Sequence, residues 1–159
     1  MNTLSDIIMP NDIGDALESV LREKFPGEEV YRELTPSGFA RPNNLVVLGE
    51  CKVVPAFACG IVEMRPTVTI TTFVEVDEYH HSHLNALHAR QMKIAGLMMA
   101  GYIKVGNRAP HVVDLVLDGN YDSDSVTVTF SYTLSREEFM TMTQYPMMGE
   151  LHLNEEVKN

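Results

Sequence analysis

Thr67-Val68-Thr69-Ile70-Thr71-Thr72-Phe73-Val74-Glu75-Val76 alternates β-branched and polar residues, the period of a strand with one buried face. Downstream, residues 84–100 change period. Leu84, Leu87, Gln91, Ile94 or Ala95, and Met98 fall three or four apart and line one stripe of a helix. Gln91 is the one polar break in that stripe, and Gly101 stands where a helix should end. A strand feeding a long amphipathic helix that must lie back on a sheet is the nucleus of a domain containing both.

Upstream, residues 11–25 read as a first helix, capped by Asn11 or Asp12, with Ile13, Ala16, Leu17, Val20, Leu21 and Lys24 at helical spacing. Lys24 would bury only its stem. Glu18 and Arg22 form an i,i+4 pair, and Pro26-Gly27 stops the helix. Residues 1–10 read as a loose arm or a short extra turn. Residues 29–34 make a short strand, 35–42 a loop, and 44–49 an apolar run expected to be a strand buried on both faces. Residues 50–65 are unusually apolar and are interrupted by Pro55 and Gly60. They read as a long β-hairpin projecting from the sheet edge, which needs a partner to cover it. The other reading is a second layer of the domain's own core.

Downstream, residues 77–83 lead into the long helix, with Asp77 or Ser82 as its N-cap. Residues 102–105 leave it and 106–110 turn. A strand over 111–117 and a turn-rich loop over 118–124 precede the cleanest strand in the chain. Val126, Val128, Phe130, Tyr132 and Leu134 face one way, while Thr127, Thr129, Ser131 and Thr133 face the other. Ser135-Arg136-Glu137-Glu138 is a capping box opening a short third helix with Phe139, Met140 and Met142, and Pro146 ends it. The tail, 146–159, carries Leu151 and Leu153. Its 147–153 stretch is too apolar for a solvated end, so it adds an edge strand or docks on a neighbouring subunit. The residues themselves therefore specify an α+β domain.

The 159 residues, 45% of them hydrophobic, suffice for one domain with a sizeable core. No apolar run reaches the roughly 20 residues that span a bilayer, and the N-terminus lacks the basic start and apolar stretch of a signal peptide. The expectation is a cytoplasmic protein with no membrane partner. A formal net charge of −10 with scattered basic residues argues against specific nucleic-acid binding. Cys51 and Cys59 form no C-x-x-C pair and read as free thiols buried like small hydrophobes; a disulfide between them would need an oxidising compartment.

No nucleophile elbow, zinc-protease helix, P-loop or dinucleotide fingerprint occurs. His80, His81, His83 and His88 form the one histidine cluster, without the i,i+4 spacing of a metal-binding helix. A metal or ligand site at His80–His83 is the alternative to a solvated approach to the helix. Asp118, Asp122 and Asp124 around Gly119 read as a polar hairpin turn, since the EF-hand ladder is missing. The ten methionines suit core filling or an adaptable subunit contact. No metal, cofactor or catalytic residue is expected.

One resemblance sharpens this. A strand with Val30-Tyr31-Arg32-Glu33, then the turn Ser37-Gly38-Phe39-Ala40-Arg41-Pro42 and an apolar strand resemble the tail terminator (tail completion) family of long-tailed phages and prophages. That family carries a V-Y-x-E strand, a Q-G-F-x-x-P turn and a strand opening on aromatics. The order of elements matches over roughly residues 12–134. Val30, Tyr31, Glu33, Gly38, Phe39 and Pro42 carry the motif. Ser37 stands for the glutamine, and Asn43-Asn44-Leu45 stands where the aromatics would be.

The resemblance implies a small mixed, mostly antiparallel sheet with two main helices on one face and a projecting hairpin. It implies no enzyme activity, but a hexameric homo-oligomeric ring that caps the tail tube and meets the head-connector protein. Such a protein would assemble in the host cytoplasm and end in the virion tail. Val53, Phe57, Ile61, Leu151 and Leu153 are the candidate contacts. A head–tail connector or stopper component is the near alternative, and a small metal- or ligand-binding domain the distant one. An acidic ring would also let DNA pass without adhering.

Overall fold

The computed structural model describes residues 7–56 and 59–144, with side chains as far as Thr141. Helix α1 (Pro10–Lys24) is followed by strands β1 (Glu29–Arg32), β2 (Asn43–Ala56) and β3 (Ile61–Phe73). Helix α2 (Leu84–Leu97) continues as one 3-10 turn, Met98–Ala100, and β4 (His111–Gly119), β5 (Asp124–Ser135) and α3 (Arg136–Gln144) complete the chain. The sheet order is β1-β2-β3-β5-β4, with β1 parallel to β2 and every other pair antiparallel. This is the expected small α+β fold, and the strand that opened the reading is its central one.

The core lies on one face of this sheet. Ile13, Leu17 and Leu21 of α1 and Ile94 of α2 pack with Met98 onto Val46, Val68, Ile70, Val126, Val128 and Phe130. All five predicted inward residues of β5 are buried, as their alternation requires, and Asp124 shares their face. Among the described residues the opposite face carries no helix. There Thr69 and Thr127, and Thr67 and Thr129, meet hydroxyl to hydroxyl at 3.2 and 3.3 Å, the cross-strand pairing that threonines favour.

Several local expectations are corrected. Helix α1 opens at Pro10, a residue preorganised for the first helical position. Asp12 is not the cap, but its carboxylate accepts the Met9 N–H at 2.7 Å. Asn11 does not cap α1 either. Lys24 is exposed and Phe25 takes its place in the stripe. Ile7 and Ile8 belong to the core rather than to a loose arm, fixed by the Tyr132 hydroxyl donating to the Ile8 carbonyl at 3.1 Å.

The run at 44–49 is buried on one face only, because Leu45 and Val47 lie half-buried on the helix-free side. Neither Asp77 nor Ser82 caps α2; His83 occupies that position without a side-chain bond. Leu84, first of the predicted stripe, is exposed. Leu87, Gln91, Ile94, Ala95 and Met98 are buried as read, and Gly101 ends the helix at φ 83°. The predicted capping box is present: Glu138 N–H donates to Ser135 Oγ, and Ser135 N–H to Glu138 Oε2.

One register row explains why α2 sits where it does. Asn44, Thr72 and Asp124 are cross-strand neighbours on the core face, and each is buried. Every further row along the sheet is apolar, beginning with Val46, Ile70 and Val126. A buried polar row calls for hydrogen bonds, and α2 supplies one or more to each residue of it, leaving Asn44 Nδ2 and Asp124 Oδ1 unpaired among the described residues. Arg90 donates to Thr72 Oγ1 at 2.8 Å, to Asn44 Oδ1 at 3.4 Å, and to both Glu28 oxygens at 3.0 and 2.6 Å. Its guanidinium also lies 4.4 Å above the Phe25 ring. Gln91, the odd residue of the stripe, donates to the Asp118 and Ser125 carbonyls. His88 Nδ1 lies 2.6 Å from Asp124 Oδ2.

Two outcomes follow. Arg90→Ala leaves Glu28, which is 20% exposed, without its partner, so it should cost about 2–3 kcal/mol in urea unfolding. Arg22→Ala on the exposed α1 pair should cost under about 0.5 kcal/mol. Equal costs would refute the argument. Burial also pushes the Tyr132 phenol far above its ordinary value. A group raised in the folded state gives stability that is whole below its unfolded pKa and lost as pH climbs past it. Stability should therefore fall above about pH 10, and Tyr132→Phe should flatten that fall in pH-dependent unfolding.

Candidate functional site

The motif residues come together as a structural corner. Val30 is buried in the core. The Tyr31 hydroxyl accepts the Ala40 N–H at 3.1 Å, and its ring meets Phe39 edge-on at 6.5 Å. Phe39 in turn packs on Phe73 at 5.0 Å. Gly38 turns the loop at φ 70°, a backbone that side chains disfavour. Glu33 adopts φ 63° and ends β1. Its carboxylate then accepts the Leu48 N–H at 3.2 Å, so it blunts the start of the free β2 edge. Pro42 leads from this loop into β2.

Arg41, which the sequence reading passed over, locks the corner. Its guanidinium lies 5.1 and 5.3 Å from the Phe39 and Phe73 rings. It donates to the Val74 carbonyl, to Ser82 Oγ, and to both Asp122 carboxylate oxygens at 3.1 and 3.2 Å. A planar fork that pairs at its edge while stacking on its faces is a role lysine cannot fill. Phe39 and Phe73, spaced far apart in sequence, gave no signal for it.

The three aspartates of the β4–β5 turn therefore serve separate partners: Asp118 accepts the Gly119 N–H, Asp122 holds Arg41, and Asp124 faces His88. The polar-turn expectation holds. A Cβ on Gly119 would fall on the Asp124 carboxylate, so only glycine fits there.

His80, His81 and His83 are exposed. His80 sits in a turn at φ 61°, closed by the Tyr79 and His81 N–H groups donating to Asp77 Oδ1. The His81 amide, then the Tyr79 amide, hold the Asp77 carboxyl below its usual range. Among the described residues no three His, Cys, Asp or Glu side chains converge as a metal centre. Cys51 is partly buried, which pushes its thiol up, whereas Cys59 is exposed rather than buried; both are free thiols.

At the other end of the sheet lies the hairpin. A bulge at Gly49-Glu50 separates the two halves of the β2–β3 ladder. The β3 arm is covered along its length by β5, from Ile61 opposite Ser135 to Thr72 opposite Asp124. The β2 arm is paired by β1 only as far as Val46, so beyond it β2 is the sheet's edge among the described residues. The hairpin is divided by face and not by arm: alternate residues of β3 turn into the core, while β2 and the start of β3 leave apolar side chains exposed. Val62 and Met64 are core, whereas Val53 and Ile61 are 44% and 43% exposed. Phe57, Leu151 and Leu153 lie outside the described residues.

Between the hairpin and α3 runs an apolar groove of about 310 Å³, walled by Val53, Pro55, Ile61, Val62, Phe139 and Met140. Arg136 is the one charged residue on its walls. No protein-family model matches the chain, and no curated protein matches it.

Arg41→Lys should keep the charge but lose the fork and part of the stacking. A loss of about 1–3 kcal/mol in urea unfolding is expected. An unchanged midpoint would show that the corner does not depend on Arg41.

Proposed function

We propose that the chain is a structural protein of a long-tailed phage or prophage. It is a tail terminator that self-assembles into a ring, caps the tail tube and presents it to the head connector. The order of elements and the V-Y-x-E and G-F-x-x-P residues support the family. One observation carries the assembly: the two edges of the sheet differ in kind, and both are adhesive. At one, the outer side of β2 has no strand beside it past Val46 among the described residues, and Val53 and Val54 are exposed. At the other, β4 exposes Val113, Val116 and Leu117. Contacts that close a ring join unlike patches, and unlike patches on opposite edges place each subunit beside the next. The role needs no reaction.

Native mass measured over a range of concentrations, alone and with tail tubes, tests this. A discrete hexamer is expected. Val53→Asp and Val116→Asp should each shift the mass towards monomer while the unfolding midpoint stays within about 0.5 kcal/mol, because both sites are exposed. A monomer under every condition would sink the reading.

A further inference from the structure

We propose that the pocket between α2 and the β4–β5 turn receives the Lys24 side chain of the next copy in the ring, a contact that rests on the tail-terminator reading. The pocket, of about 470 Å³, has two kinds of wall. Leu84 and Leu117 are exposed on it, and the Tyr121 ring stands 84% exposed beside them. Asp118, Asp124 and His88 supply its charge, and no Lys or Arg lines it.

Its acids are short of partners. Asp124 is 1% exposed. Its Oδ2 lies 2.6 Å from His88 Nδ1, whereas its Oδ1 is buried with no hydrogen-bond partner among the described residues. Asp118 is exposed and accepts the Gly119 N–H, and among the described residues no cation pairs with it. One imidazole thus faces two carboxylates. Acid set beside leucines and an open aromatic face fits a lysine. Its stem lies along the apolar wall while its ammonium meets carboxylate and ring.

The next copy carries such a lysine at the right place. Helix α1 packs on β1 and β2, and α2 on β3 and β5, so the two helices stand toward opposite edges of the sheet. Lys24 ends α1 and is exposed, with no ion pair among the described residues. Phe25, next in the chain, lies under the Arg90 guanidinium that bonds Thr72, and Thr72 is the register partner of Asp124. Lys24 and the pocket therefore share the helix face and one end of the sheet, at opposite edges. Rotation about an axis along the strands keeps them level, and head-to-tail closure sets one against the other. Lys52, the exposed lysine of β2, does not suit. It stands opposite Arg65, seven residues along β3 from Thr72, or about 23 Å away.

Charge reversal in the full-length chain tests it, read by native mass over a range of concentrations. Lys24→Glu and Asp118→Lys should each raise the concentration needed for assembly at least about tenfold. Together they should bring it back to within about threefold of the natural chain, because the reversed pair still attracts. Tyr121→Ala should weaken assembly in the same direction, and the unfolding midpoints should stay near the natural value, since all three sites are exposed. A double variant no better than the single ones, or single variants that assemble like the natural chain, would overturn the contact and leave the ring standing. Variants that assemble normally but no longer join tail tubes would hand the pocket to the tube protein, which also overturns it. A chain monomeric under every condition would remove the ring and the contact together.

Discussion

The contact between Arg90 and the polar row of the sheet decides how the rest of the molecule can pack. Glu28 lies between α1 and β1, Asn44 on β2 and Thr72 on β3, and one guanidinium reaches all three from α2. A helix lying on a smooth apolar sheet could slide by a turn at little cost. With Arg90, Gln91 and His88 bound to fixed partners, a one-turn slip would strand buried polar groups, each at a cost of about 1–3 kcal/mol. The polar row contributes position more than net stability.

That row also divides the molecule. Around it the loops are stitched together by Arg41, Asp77 and Asn120, whose bonds close the turns over the sheet's end. Away from it each row is apolar, and the hairpin carries that character out to exposed Val53 and Ile61. Half-buried threonines on the helix-free face satisfy one another, whereas the groove at the hairpin is mostly apolar, with Arg136 as its one charged wall residue.

How much of this was legible depended on range. Period-2 alternation in β5, the apolar stripe of α2, the capping box at Ser135 and the stop at Gly101 are local, so they could be read directly. Gln91 was visible as an anomaly without its reason, because Asp118 and Ser125 are brought under it only by the fold. Asn44, Thr72 and Asp124 are unremarkable one at a time, and only the register makes them neighbours. Arg41 and Arg90 were invisible for the same cause: their partners lie up to 81 and 62 residues away. Where the reading failed locally, as at Asp12 and Lys24, tertiary burial of the neighbouring Phe25 and a proline start overrode propensity. The motif turn was found by resemblance, while the reason for its residues was steric and became plain only in three dimensions.

The bond from Tyr132 to Ile8 spans 124 residues. At a synthesis rate of about 5–20 residues per second, Ile8 waits about 6–25 s for its partner. Through that interval the first helix has its sheet only in part, and its apolar stripe faces the crowded interior of a cell. β5 lies beside the central strand and is made after β1 to β4, so the sheet can close only once it has been added. The interval before that closure is when the protein is most exposed to chaperones and to aggregation.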